Sequence, residues 1–310
     1  MQILDQDGKV VEEWVSKKEP HVVYALEPGE YVLHEEQAPT EQGYVRAEDV
    51  KFVVEETGDV QKVKMEDDHT KVSISKTDIT DGKEIEGAKL QILDQDGEVV
   101  ESWTTGEEHL IEYLPVGTYT LHEEAAVDGY IVANDVEFTV EETGEIQKVK
   151  MEDERAMGQL VIVKTDTDSK AALEGVEFVL LEKETGKEVG RLKTGKDGKA
   201  VSELLPIGTY ENGVFKEPIT YVLKETATLK GYEKTEEEWE IVFTYQNDKT
   251  PVIEVVKEIQ NKKIPETPGT VKPGPKTGDD TNWFLPLLAL GVSAGMVAGL
   301  LYYRKRHKKA

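Results

Sequence analysis

Three glutamates occupy the same place in a recurring five-residue stretch: Tyr31-Val-Leu-His-Glu35, Tyr119-Thr-Leu-His-Glu123 and Tyr221-Val-Leu-Lys-Glu225. On a β-strand successive side chains alternate between two faces, so the Tyr, Leu and Glu of each copy face one core together. An unpaired carboxylate in such a core costs several kcal/mol or more, so each copy needs an inward partner or an upward-shifted pKa. A carboxyl group held this way can keep a proton near neutral pH and hand it on, which is the chemistry these residues offer.

The elements that must position them repeat. Met1-Gln-Ile-Leu-Asp-Gln-Asp-Gly8 matches Leu90-Gln-Ile-Leu-Asp-Gln-Asp-Gly97, and the match runs on through Trp14 and Trp103, Gly43-Tyr44 and Gly129-Tyr130, and Glu55-Glu-Thr-Gly58 and Glu141-Glu-Thr-Gly144. Both copies end in Gln-Lys-Val-Lys-Met-Glu-Asp, at Asp67 and Asp153. A period of this length fits whole domains in tandem better than solenoid units. Met1 aligns to the middle of a domain: the second copy has an upstream strand, Val72-Ser-Ile-Ser-Lys76, that the first lacks. The expectation is a fragment of a longer protein, with the alternative that another chain donates the strand. A third, diverged copy carries an insertion between Tyr210 and Tyr221 whose Asn212-Gly213 is a strong hairpin signal.

Short alternating runs separated by Asp-Gly, Pro-Gly and Gly-Thr turns predict six to eight strands per copy, an antiparallel β-sandwich. Of the 310 residues 38% are apolar, and the net charge of −26 is spread along the chain. With no basic stripe outside the last seven residues, the charge pattern argues against nucleic acid as a partner. The absence of cysteine removes disulfides and thiolate chemistry. Asp94-Gln-Asp-Gly97 has the look of a calcium loop, but the later bidentate Glu is missing and a hairpin turn accounts for it. His34 and His122 alternate with the Leu-Glu face toward solvent, so no metal site is expected; nor is any cofactor, for no Gly-x-Ser-x-Gly elbow or phosphate loop is present.

The C-terminal end differs in kind. Residues 264–282 are a proline-rich spacer, Trp283 to Tyr303 are 21 uncharged, mostly apolar residues, and 304–310 are basic. At about 1.5 Å per residue such a helix is roughly 31 Å long, against a bilayer core of about 30 Å. The basic tail then stays in the cytoplasm and the β domains lie outside the cell. The first thirty residues carry no secretory signal.

Spacer, Pro275-Lys276-Thr277-Gly278, span and basic stop resemble the sorting signal of Gram-positive surface proteins, in which a sortase cuts an LPXTG motif after Thr; Gly274 stands in place of the leading Leu. The repeats resemble the Cna protein B-type domains of collagen-adhesin stalks and SpaA-like pilins, on the strength of Tyr-x-Leu-x-Glu followed by Gly-Tyr. That resemblance implies an all-β chain of prealbumin-like, inverse-immunoglobulin sandwiches, with domains at 1–68 (incomplete), 69–153 and 154–263. It also implies a covalent bond from a Lys of the first strand to an Asp or Asn of the last, catalysed by the middle-strand Glu. The residues so assigned are Lys76, Glu123 and Asp153 in the second copy and Lys164, Glu225 and Asn261 in the third; the first keeps Glu35 and Asp67 without a Lys. Periodicity agrees, since Val72, Ile74 and Lys76 share a face, as do Leu160, Ile162 and Lys164, and Val149, Met151 and Asp153. Val255, Ile259 and Asn261 do so too, with Lys257 interrupting. Two alternatives stand: a buried ion-pair triad without a bond, and Asn247 as the third copy's acceptor.

The expected function is non-enzymatic apart from autocatalytic bond formation: a wall-anchored stalk of adhesin or pilin type. Its partners would be a sortase, peptidoglycan or a pilin neighbour, and host matrix through a missing N-terminal region. Rival readings are a single-pass receptor that keeps its span, and the stalk of a surface enzyme whose catalytic domain lies upstream.

Overall fold

The computed structural model describes residues 1–266, whose regular elements are all β-strands apart from a single 3-10 turn at Thr40–Gln42. The sorting motif Pro275–Gly278, the span 283–303, the tail 304–310 and most of the spacer lie outside the described residues. Among the described residues no helix is long and apolar enough to cross a membrane.

The second copy is a sandwich of two four-stranded sheets. One holds His109–Glu112, the opening strand Lys71–Asp78, the closing strand Ile146–Arg155 and Tyr130–Ile131; the other holds Val136–Val140, Gly117–Ala125, Lys89–Leu93 and Val99–Thr104. Strict alternation puts Val72, Ile74, Leu90, Ile92, Leu121, Val140 and Met151 between the sheets. The third copy repeats this plan: Met157–Asp166 and Val252–Asn261 are its opening and closing strands, and Glu177–Glu182 pairs with Thr220–Ala227 in the facing sheet. Its core is built on Leu160, Ile162, Phe178, Leu180, Tyr221, Leu223, Trp239, Ile241 and Phe243.

The expected all-antiparallel arrangement holds except at one place in each complete copy. Opening and closing strands are direct neighbours and run parallel, with Lys76 opposite Met151 and Lys164 opposite Ile259. The whole domain serves as the long crossover that a parallel pair requires. In the first copy no opening strand is present, and residues 59–67 form no strand, since their ladder partner is missing. Asp67 is exposed there, whereas Asp153, its counterpart, is fully buried.

The insertion in the third copy is the hairpin Gly208–Glu211 with Val214–Pro218, turned by Asn212 and Gly213 at φ of 52° and 68°. Positive φ at both central residues is the primed turn that matches strand twist. The Asp94–Gly97 turn is likewise a hairpin: the Asp94 carboxylate accepts from the backbone N–H groups of Asp96 and Glu98, both at 2.9 Å.

Gly158 sits where the opening strand of the third copy passes Phe243, and an added Cβ would meet the ring's Cγ at 2.2 Å. The ring is fully buried, so an added methyl would force strand or ring to give way. Gly158→Ala is therefore expected to lower the stability of this domain by about 1–3 kcal/mol, the usual cost of overpacking, read as a lowered urea midpoint.

Candidate functional site

Each complete domain buries a lysine against two partners. In the third, Lys164 is fully enclosed; its Nζ donates to Asn261 Oδ1 at 2.5 Å and lies 2.9 Å from Glu225 Oε2. Asn261 Nδ2 in turn donates to Glu225 Oε1 at 2.7 Å and to Thr228 Oγ1 at 2.7 Å. Glu225 thus reaches both the amine and the amide nitrogen. In the second domain Lys76 Nζ donates to Asp153 Oδ1 and lies 3.0 Å from Glu123 Oε2. Glu123 Oε2 also accepts the backbone N–H of Ala133 at 2.7 Å, while Glu123 Oε1 and Asp153 Oδ2 are buried without a hydrogen-bond partner.

Register explains why the two sites coincide. In both domains the acceptor stands two residues beyond the residue opposite the lysine, so Lys76 and Asp153, or Lys164 and Asn261, lean toward each other on one face of a parallel pair. The glutamate comes from the facing sheet, where Tyr-x-Leu-x-Glu brings it opposite. Asn247, the other acceptor considered, is exposed in a turn, where its Oδ1 accepts from Lys249 N at 2.9 Å. His34 and His122 face away from the core and pair with Asp49 and Asp135, each at 2.7 Å.

The electrostatics follow burial. Enclosure pulls the Lys164 ammonium below its usual range, against the opposing pull of Glu225. It pushes the Asp153 carboxyl up to about 7, with Lys76 holding it down and Glu123 raising it. In the first domain Glu35 is buried, 4% exposed, with no lysine beside it. Burial raises its pKa, partly offset by the Ala47 N–H, which donates to Oε2 at 2.8 Å.

A polar cluster beyond the triad escapes sequence reasoning. Asp78 Oδ2 accepts from Tyr130 Oη at 2.7 Å and Arg155 Nε at 2.6 Å, and Arg155 Cζ sits 4.1 Å from the centre of the Tyr210 ring. Burial alone would raise the Asp78 carboxyl, but these donors and Thr80 hold it below the usual carboxylate range. The available signal was Lys-Thr-Asp, present at 76–78 and again at 164–166. The Gly-Tyr pairs also acquire a role, since Gly43, Gly129 and Gly231 each accept, through their carbonyls, the N–H of the residue leaving the domain: Thr70, Ala156 and Ile264.

These tandem sandwiches, of which the two complete ones have parallel terminal strands and a buried lysine beside a carboxyl group, define a class of multidomain all-β proteins. The sequence model for the prealbumin-like fold domain SpaA matches residues 1–69, 70–155 and 158–218, well over half of the chain, and the chain belongs to that family. Among solved structures, the Bacillus anthracis TIE protein is similar at 30% identity, covering 77% of this chain and 43% of its own, with a TM-score of 0.49. The Streptococcal ancillary pilin is 19% identical over 78% of this chain and 77% of its own, with a TM-score of 0.29. GBS52, the minor pilin of the Gram-positive pathogen Streptococcus agalactiae, is 20% identical over 66% of this chain and all of its own, with a TM-score of 0.27. This chain therefore spans less than half the length of the Bacillus anthracis protein. No curated protein matches it.

The raised Asp153 carboxyl fixes a sign. In the unfolded chain Asp titrates near about 3.9, so folding favours the protonated acid; its stabilisation is complete below about pH 4 and is lost as pH rises through about 7. In a Lys76→Met chain, which cannot bond and lacks the ammonium that holds Asp153 down, the urea midpoint of the second domain should fall between pH 5 and pH 8.5. A midpoint that stays level or rises would contradict this assignment.

Proposed function

We propose that the chain is the stalk of a Gram-positive surface protein, built from self-crosslinked β domains and joined to the envelope by a sortase. The observation that carries this reading is the paired triad, Lys76-Glu123-Asp153 and Lys164-Glu225-Asn261, each spanning the first and last strands of its domain.

The geometry supports amide formation. A neutral Lys164 amine attacks Asn261 Cγ, and its lowered pKa makes that form accessible. Glu225 touches Nζ through one oxygen and Nδ2 through the other, so it takes the proton the amine must lose and returns one to the departing nitrogen. The Nζ–Cγ bond forms, the Cγ–Nδ2 bond breaks and ammonia leaves. In the second domain Lys76 attacks the protonated Asp153 carboxyl with Glu123 as the relay, and water leaves. Bond formation also abolishes the ionisation of buried groups and resolves the orphaned oxygen of Asp153.

The closed loops have sequence separations of 77 and 97 residues. On the chain-entropy relation used for disulfides, closing them stabilises each domain by roughly 4.5–4.7 kcal/mol. Residues 1–69 supply Glu35 and Asp67 of the first domain, the counterparts of Glu123 and Asp153.

Attachment rests on residues 275–278, followed by the apolar run and basic tail. The Thr277-Gly278 pair, following a proline-rich stretch of sequence, suits a transpeptidase that cuts between them and passes Thr277 to an envelope amine. The chain is acidic and low in aromatics, which suits a spacer better than a ligand site.

Two measurements bear on this. The intact mass of the folded chain should fall short of its sequence mass by one water and one ammonia, and Glu123→Ala should restore the water alone; a full mass in well-folded protein would leave only buried ion pairs. Cell-wall digests should release chains ending at Thr277, and recovery solely of chains ending at Ala310 would remove the sortase step and favour a retained membrane span.

A further inference from the structure

The loop that aims Glu123 is gripped by the domain that follows. In the second domain the Ala133 N–H orients Glu123, and three of the four residues before it are hydrogen-bonded to the third domain. Tyr210 Oη donates to the Gly129 carbonyl at 2.8 Å, Tyr245 Oη donates to the Tyr130 carbonyl at 2.9 Å, and Val132 N–H donates to the Asp248 carbonyl at 2.9 Å. The grip is close: a Cβ on Gly129 would meet Phe215 Cδ2 at 2.8 Å and Tyr210 Oη at 2.9 Å.

The same arrangement recurs one domain earlier. Ala47 N–H orients Glu35, and the preceding residue, Arg46, donates its N–H to Glu142 Oε1 of the second domain at 3.2 Å. Glu142 and Asp248 occupy the same turn, before the closing strand of their respective domains. Tyr44 meets Tyr113 edge-on at 5.4 Å, as Tyr130 meets Tyr210 at 5.2 Å. Two junctions of different sequence thus place a donor or acceptor of the next domain on the residue adjoining the one that orients the glutamate.

We propose that docking of the third domain positions Glu123, so that Tyr210, Tyr245 and the Asp248 carbonyl are positioning residues for the bond between Lys76 and Asp153. This rests on the crosslinking reading above. The third domain is the folding checkpoint for the second: until the loop is seized, Ala133 is not fixed and the carboxyl group that must face Lys76 is free to turn. Burial supports the assignment, since Tyr245 lies in the packed junction and its phenol is pushed up to about 12 chiefly by desolvation.

The test follows bond formation in the full chain made by pulsed cell-free synthesis, scoring the linked peptides of each domain by mass spectrometry over time. In a Tyr210→Phe/Tyr245→Phe chain, which keeps both rings and loses both donors, the water-releasing bond of the second domain should form at least about tenfold more slowly. That factor corresponds to about 1.4 kcal/mol. The ammonia-releasing bond of the third domain should keep its rate and serves as the internal reference. Phe215→Leu loosens the same junction without removing a hydrogen bond, and should leave both rates unchanged. Equal slowing in Phe215→Leu would reduce the effect to general packing and overturn the proposal, as would a normal rate in the double variant. Absence of both bonds from the unmodified chain would instead overturn the crosslinking reading.

Discussion

A lysine amine enclosed with a carboxyl group and a carbonyl, out of reach of water, is the constraint on which the rest of each domain depends. Three groups that would each prefer to be solvated are held together by two sheets, and the sheets stay together because the remaining inward positions are aliphatic or aromatic. In low dielectric a charged pair is strongly attracted but poorly repaid for lost hydration, so the triad is a costly element unless chemistry removes its charges. The two complete domains share the plan closely, although one uses an acid and the other an amide. What they preserve is register: a parallel pair with the acceptor two residues beyond the lysine's opposite number.

That register also explains the first domain. Its closing segment, residues 61–67, has the same sequence as Gln147–Asp153, yet it is not a strand and its Asp67 faces solvent. The same residues make a buried strand when Lys71–Asp78 lies alongside and an irregular exposed stretch when nothing does. Local propensity is thus subordinate to the availability of a ladder partner, as expected where β preference reflects packing more than backbone. Glu35 is already sequestered and aimed by Ala47 before a lysine is present, so the carboxyl position belongs to the Tyr-x-Leu-x-Glu sheet alone.

Much of this was legible in the sequence because period-two alternation assigns faces without reference to tertiary structure. Glu123, Glu225, Lys76, Lys164, Asp153 and Asn261 all fall on runs whose neighbours are apolar, and each lies in a core. Pairing between strands 77 or 97 residues apart is not written in any local pattern, so the parallel neighbours were not foreseen. Nor was the junction. Tyr210 and Phe215 read as ordinary hairpin residues until the hairpin is seen lying on Gly129, and Arg155, which the repeat boundaries assign to the third domain, extends the closing strand of the second to pair with Tyr130. The limit is physical: a residue's face follows from its own strand, while its partner follows from the path of the whole chain.

The parallel terminal strands also set how the molecule responds to being pulled. The chain comes in along Lys71–Asp78 and goes out along Ile146–Arg155, so a stretched domain without a crosslink could pay out the chain between Lys76 and Asp153, a sequence separation of 77 and on the order of 260 Å of hidden length. A bond from Lys76 to Asp153 would reroute the load across two adjacent strands and leave everything between them slack. Such a tether neither lengthens nor absorbs shock. Whatever it holds would stay at a fixed reach from the surface until some other link gives way.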